Sequence, residues 1–390
     1  MKVLIIGGGF GGVRAALNLA GNSDFDVTLV SKLDYFEYHP ALYRSATGRS
    51  PFESVISLSD FFARDSNITV LKDEVTKIDP KTKTVKGASG TTYHYDVVIL
   101  GLGVVTQYFS IKGLNKYSYG IKTIQEALEF KRHLHEDLVN GKRAEYNYTV
   151  IGGGPTGIEL TAELTAYVSH IRRAHKIKRT FHIDMIEATD HLLPNMPKRF
   201  GRLVTMRLQR LGVRLYLNTK VNAEKTSEIT FPHGHIDTHT VAWTAGVANN
   251  PFYAAQGEMF KFGHNGKVEV NKHMEALPHV YVIGDGANTK YSGMAQTAIH
   301  DASFVTNNLL RHMDHEPLLA YTVKEPIYAI PVGPYWAALK WGWFETYGWV
   351  GWVLRRTADL KLWLEFLKPR RALSTWEHGF EDSEGCKICQ

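Results

Sequence analysis

The sequence predicts an α/β protein: two parallel-sheet domains, each opened by a strand, a glycine-rich turn and a helix, and then a C-terminal helical segment. Three observations predict it. A short apolar run leads straight into Gly7-Gly8-Gly9-Phe10-Gly11-Gly12. The same order of features recurs around Gly152-Gly153-Gly154-Pro155-Thr156-Gly157. Seven of the eight tryptophans fall between Trp336 and Trp376.

At 390 residues the chain is too long for one ordinary core, so two or three domains are expected. The only cysteines are Cys386 and Cys389, which excludes a disulfide-stapled framework. No charged-then-apolar leader precedes the first strand, and no stretch reaches the ~18 apolar residues of a spanning helix. The expected protein is cytoplasmic and does not cross a membrane. A net charge of +6 leaves nucleic acid and an anionic lipid surface as partners to be separated by where the basic residues lie.

The elements follow in order. Val3-Leu4-Ile5-Ile6 has the continuous apolar character of a strand buried on both faces. After the turn, Val13, Ala16, Leu17, Leu19 and Ala20 give a helical stripe, and Asp26-Val27-Thr28-Leu29-Val30 is a second strand. In this context Gly7, Gly9 and Gly12 satisfy G-x-G-x-x-G: a tight turn, close approach to a pyrophosphate, and close packing of helix on strand. The helix N-terminus then faces phosphate with free N–H groups. An acid usually ends the second strand to hold ribose hydroxyls. Here Ser31 stands there, followed by Lys32, a candidate cofactor contact. Asp34, three residues on, either substitutes or is a solvated loop carboxylate.

The second copy is complete. Tyr148-Thr149-Val150-Ile151 is a strand, Gly152, Gly154 and Gly157 carry the fingerprint, Ile158 to Val168 is a helix, and Phe181 to Ile186 is the next strand. It ends on Glu187, which accepts both ribose hydroxyls of NAD and repels the 2′-phosphate of NADP. Glu159 and Glu163 lie four apart on the helix after the turn. They are either solvated or arginine-paired surface groups, or Glu159 lies near the cofactor. The fold class is therefore α/β with two Rossmann-like dinucleotide-binding domains and a C-terminal helical, membrane-surface segment.

These motifs resemble the two-dinucleotide-binding flavoprotein superfamily. Within it the chain is most similar to type II NADH dehydrogenase, a single-subunit NADH:quinone oxidoreductase that pumps no protons. The resemblance covers nearly the whole chain. It includes Tyr35 to Tyr43, the strand Tyr95 to Gly103, the connector Thr106 to Gly113, the crossover Trp243-Thr244-Ala245-Gly246-Val247, and the second FAD motif Val280 to Asp285. It implies bound FAD, NADH as substrate and a quinone acceptor. Gly103, Gly246, Gly284 and Asp285 would lie on the cofactors, with Asp285 at the ribityl or phosphate region. Ala295-Gln296-Thr297-Ala298 resembles the segment under the flavin ring at the quinone site, so Gln296 touches both flavin and quinone. His300 stands where the family usually has a second glutamine; it is either a proton donor to reduced quinone or a satisfied buried group. By the same resemblance Glu159 lies near flavin and nicotinamide and assists proton movement. The implied domains are FAD-binding at 1–113 and 248–325, NAD-binding at 114–247, and membrane association at 326–390. Disulfide reductases and sulfide:quinone reductases of this superfamily need cysteines near the flavin, and this chain has none before Cys386.

From Trp336 on, aromatic residues alternate with Leu354, Leu360, Leu362 and Leu364. Arg355, Arg356, Lys361, Lys368, Arg370 and Arg371 are interspersed or follow. Aromatics favour the headgroup level of a bilayer and basic residues attract anionic lipid. Such a stretch also suits a homodimer interface or a hairpin closing the core. No nucleic-acid module is recognisable, so nucleic acid is disfavoured. Cys386-x-x-Cys389 is a half metal site, a redox pair or a plain tail; no metal site is expected. Two other functions stay open: a soluble NADH-dependent reductase of a protein electron carrier, and a non-catalytic NADH-sensing flavoprotein.

Overall fold

The computed structural model describes residues 1–63, 65–143 and 145–382. Cys386 and Cys389 lie outside them. The chain divides into two compact units. One holds Met1–Glu37, Val55–Val105 and Val247–Pro326. The other holds Tyr38–Ser54, Thr106–Gly246 and Ile327 onward.

The first unit is built on a six-stranded sheet. Its order is Glu275–Leu277, Val280–Val282, Val97–Leu100, Lys2–Ile6, Asp26–Ser31, Ile68–Lys72, and all neighbours except the first pair run parallel. Parallel strands covered on both faces must be apolar throughout, and Val3 to Ile6 and Val97 to Leu100 are each fully buried. The helix Phe10–Leu19 packs on the helix Ala295–Met313, where Asn18 Nδ2 donates to Thr306 Oγ1 at 2.9 Å.

The second unit carries a four-stranded parallel sheet, ordered Arg214–Tyr216, Thr180–Ile186, Glu145–Ile151, Thr240–Trp243. Ile151, Ile186, Val241 and Trp243 form one core with Ile229 and Ile236 of a small antiparallel sheet.

The C-terminal segment is not helical throughout. It opens on a three-stranded antiparallel sheet, Tyr328–Pro331, Ala337–Trp341 and Phe344–Gly348, before the helices Trp349–Phe366 and Pro369–His378. Alternation of small and aromatic residues such as Ala337-Ala338-Leu339 against Phe344-Glu345-Thr346-Tyr347 suits a half-buried hairpin, closed by the positive-φ Gly342.

Candidate active site

The two glycine turns are near copies. Gly7 and Gly152 adopt φ of +111° and +116°, a region side chains avoid. Their N–H groups donate to Val30 and Ile186 carbonyls at 2.8 and 2.9 Å. A Cβ on Gly12 would lie 1.8 Å from the Gly7 carbonyl oxygen, and one on Gly157 would lie 1.9 Å from that of Gly152. Only hydrogen fits where helix crosses turn. A Cβ on Gly9 or Gly154 would meet nothing within 4 Å. Each of these is the N-cap of its helix, and neither cap is closed by a side chain. The helix N-termini therefore open onto free space with no side chain capping them, as a pyrophosphate requires. Both cradles fit a dinucleotide.

The turns differ in what closes them. Glu187 Oε2 accepts the Gly153 N–H at 2.6 Å, and Oε1 accepts from Thr189 N–H and Oγ1 at 2.8 and 2.9 Å. The carboxylate is thus fixed against the turn. In the first unit Ser31 occupies the equivalent place: a Cβ on Gly8 would lie 2.8 Å from Ser31 Oγ. Lys32 points away, with its exposed Nζ on Glu74 Oε1 at 3.0 Å. Asp34 is likewise exposed, on Lys72 at 3.0 Å. The free chain therefore shows Lys32 and Asp34 as solvated ion pairs, and Ser31 as the residue that closes the turn.

The second motif lies in a 3-10 turn, Gly284–Gly286, after the strand Val280–Val282. Gly284 has φ +68° and Asp285 is half-buried beside it. The fully buried Asp301, on the helix that follows, holds this turn. Its Oδ2 accepts the Gly284 N–H at 3.0 Å and its Oδ1 accepts the Tyr321 hydroxyl at 2.6 Å. Burial pushes the Asp301 carboxyl up to about 6, although Tyr321 and Gly284 oppose this. Gln296 is exposed in the first turn of the helix. His300, one turn on, is engaged: Nε2 donates to the Thr322 carbonyl at 2.9 Å, and its ring centroid lies 5.5 Å from that of Tyr321. Since a carbonyl only accepts, Nε2 carries the proton. That favours the satisfied-group reading of His300. Gly103 has φ +67° and open space at its Cα, and Gly246 packs under Phe109, whose ring a Cβ would approach to 2.5 Å.

Sequence reasoning missed a buried ionic cluster in the second unit. Arg44 and Arg356 each donate to Glu53 Oε1, at 2.8 and 2.9 Å. Asp359 accepts from Arg355 and from the Tyr38 hydroxyl, with Arg356 at 3.3 Å and Arg44 at 3.6 Å. All six side chains are buried. Burial acts to raise the Asp359 carboxyl, but Arg355, Arg44 and Arg356 overcome it and hold it low. Glu159, half-buried on the helix Pro155–Ala174, is pushed up to about 8 by burial, with Arg355 and Arg44 pulling the other way. Burial raises Glu163 in the same manner. This corrects the expectation that Arg355 and Arg356 face lipid. The one local signal was an Arg-Arg pair with Asp at i+3 and i+4 inside a helix rich in tryptophan and leucine.

Residues 1–302 match the pyridine nucleotide-disulphide oxidoreductase family. Two type II NADH:quinone oxidoreductases of Mycobacterium tuberculosis are similar along most of their length. One is 27% identical over 96% of this chain and 87% of its own; the other is 30% identical over 80% and 72%. The chain belongs to the pyridine nucleotide-disulphide oxidoreductase family, among its type II NADH:quinone oxidoreductases. A solved structure of NDH2 from Plasmodium falciparum in complex with NADH shares the fold, with a TM-score of 0.85 at 19% identity, covering 97% of this chain and 96% of that one. The family's flavin is FAD, so the two cradles are matched by two dinucleotides. The chain has no cysteine before Cys386.

Proposed function

We propose that this chain oxidises NADH and passes two electrons to a membrane quinone without pumping protons. Its site would hold FAD on the first glycine turn and NADH on the second. The observation that carries the reading is the duplicated cradle, of which only the second is closed by a carboxylate, Glu187. A flavin held there would supply hydride acceptance and electron delivery to the acceptor. The chain's own residues bind and orient. Gly9 and Gly154 leave room for pyrophosphates, Asp285 meets the ribityl or phosphate region, and Asp301 keeps that turn in place. Gln296 presents an amide to the quinone carbonyl. Glu159, protonated at neutral pH, supplies a proton locally.

The reading of where it acts is supported by a helix that buries three charged side chains and exposes several apolar ones. In Trp349–Phe366 the charged Arg355, Arg356 and Asp359 are buried, while Trp349, Val350, Leu354 and Leu364 are exposed. Water-facing helices have the opposite arrangement. The hairpin tip adds Trp341 and Trp343, the latter 95% exposed. No helix among the described residues is long and apolar enough to cross a membrane. The reading is a peripheral protein that rests its C-terminal segment in the interfacial layer, on the cytoplasmic face where NADH is supplied. Steady-state NADH oxidation with a short-chain quinone tests the activity. Turnover with a protein electron carrier but with no quinone would overturn it.

A further inference from the structure

The inward turn of Arg355 and Arg356 removes two of the six cations expected to meet lipid, and Lys361 lies 3.9 Å from Glu365 on its own helix. The structure supplies cations from elsewhere. The helix Lys198–Arg210, which follows Glu187 in the nucleotide-binding part of the same unit, reads KRFGRLVTMRLQR: five basic residues and no acid in 13. Its two faces do different things. Phe200, Gly201, Val204 and Leu208 are buried. Its flank rests on the C-terminal sheet. The Phe200 ring is 5.6 Å from that of Tyr347, the Arg207 guanidinium lies 5.7 Å over Trp336 with Nε on the Val332 carbonyl at 3.2 Å, and Leu211 touches Gly333. On the other face Arg199, Arg202, Met206 and Arg210 recur at helical spacing, and all four are exposed. Lys198 is neutralised by Asp190 at 3.1 Å. Among the described residues none of Arg199, Arg202 and Arg210 has an acidic partner within ion-pair distance.

We infer that this helix face is an anionic-lipid docking surface, in which Arg199, Arg202 and Arg210 take lipid phosphates beside the tryptophan-bearing hairpin. The occupant is set by charge and by continuity. Three uncompensated guanidiniums surround one exposed methionine. The sheet they flank exposes Trp341 and Trp343, residues that suit the headgroup layer of a bilayer. The inference rests on the membrane reading above and adds to it that the nucleotide-binding fold contributes lipid selectivity of its own, beside the exposed Lys368 and Arg370 of the aromatic segment.

The test is sedimentation of the FAD-loaded full chain with phosphatidylcholine vesicles and with phosphatidylcholine–phosphatidylglycerol vesicles. Wild type, Arg199→Gln/Arg202→Gln/Arg210→Gln and Trp341→Ala/Trp343→Ala are compared. Each basic side chain at an anionic surface is worth about fivefold in partitioning, so the arginine variant should lose about 100-fold on anionic vesicles at low salt. It should match wild type on neutral vesicles and in NADH oxidation with a water-soluble quinone. The tryptophan variant should weaken on both vesicles and keep its anionic preference. An arginine variant with the wild-type anionic preference overturns the inference while leaving the membrane reading standing. Wild type that binds neither vesicle overturns both.

Discussion

Asp301 and Gly284 are joined by a carboxylate-to-backbone hydrogen bond of 3.0 Å that crosses from a helix to the turn bearing Asp285. Asp301→Ala leaves a buried N–H without an acceptor, at a cost of about 1–3 kcal/mol. FAD should therefore bind about 5- to 100-fold more weakly, as measured by fluorescence titration of the apoprotein. Asp301→Asn, which keeps one acceptor, should fall between. Equal FAD affinity in all three proteins would remove Asp301 from the site.

The fixed Glu187 carboxylate predicts a preference for NADH over NADPH. Relief of charge repulsion in Glu187→Gln should narrow the ratio of kcat/KM values by about tenfold. A wild type that uses both cofactors equally would contradict the assignment.

Gln296 and His300 should separate in stopped-flow reoxidation by quinone. Gln296→Ala loses a donor to the acceptor carbonyl, about 1–2 kcal/mol or a factor of roughly 5 to 30 in rate. His300→Ala loses its bond to the Thr322 carbonyl and its packing on Tyr321, so it should lower Tm and leave the rate unchanged. If His300→Ala is the slow variant, the histidine is the proton donor after all.

Glu159 is held at about 8 mainly by burial, so it is protonated at pH 7. Its proton is lost as pH rises through about 8. Quinone-dependent turnover should fall over that range, and the inflection should vanish in Glu159→Gln. The same inflection in both proteins would assign it to another group.

Glu224 is buried, and burial pushes it up to about 8; among the described residues its Oε2 has no hydrogen-bond partner. Its folded pKa exceeds the model-peptide value of 4.5. The folded state thus binds more protons than the unfolded state between these values, and stability falls as pH rises across that window, levelling above it. Melting curves should show Glu224→Gln more stable than wild type above pH 8, with the gap closing toward pH 5. A gap that widens toward acid would reverse the sign and refute the argument.

Much of this was legible before any coordinates. The two turns announce themselves because three glycines at fixed spacing, flanked by a buried strand and a helix, have a local steric cause; Glu187 follows by counting along the next strand. The ionic cluster was not legible, because Arg44 and Glu53 lie some 300 positions from Arg356 and Asp359, and no spacing rule connects them. Arg355 and Arg356 have the composition of a lipid-facing rim, and only their burial shows them turned inward. Asp301 was passed over beside the more suggestive His300, since its partners, a backbone N–H and Tyr321, leave no local pattern.

The C-terminal helix serves two masters, and that limits what the cell can do with it. Its outward side is suited to lipid, while its inward side completes the charge balance around Glu53 and Arg44. Stripping one partner from a buried ion pair costs about 3–5 kcal/mol, a large share of the stability of an ordinary domain. A protease that clipped the chain before Tyr328 would not liberate a working enzyme into the aqueous phase. It would strip Arg356 and Asp359 from around the buried Arg44–Glu53 pair and so destabilise the remnant. On the proposed membrane reading, contact with the bilayer and structural integrity would both draw on this one stretch of polypeptide.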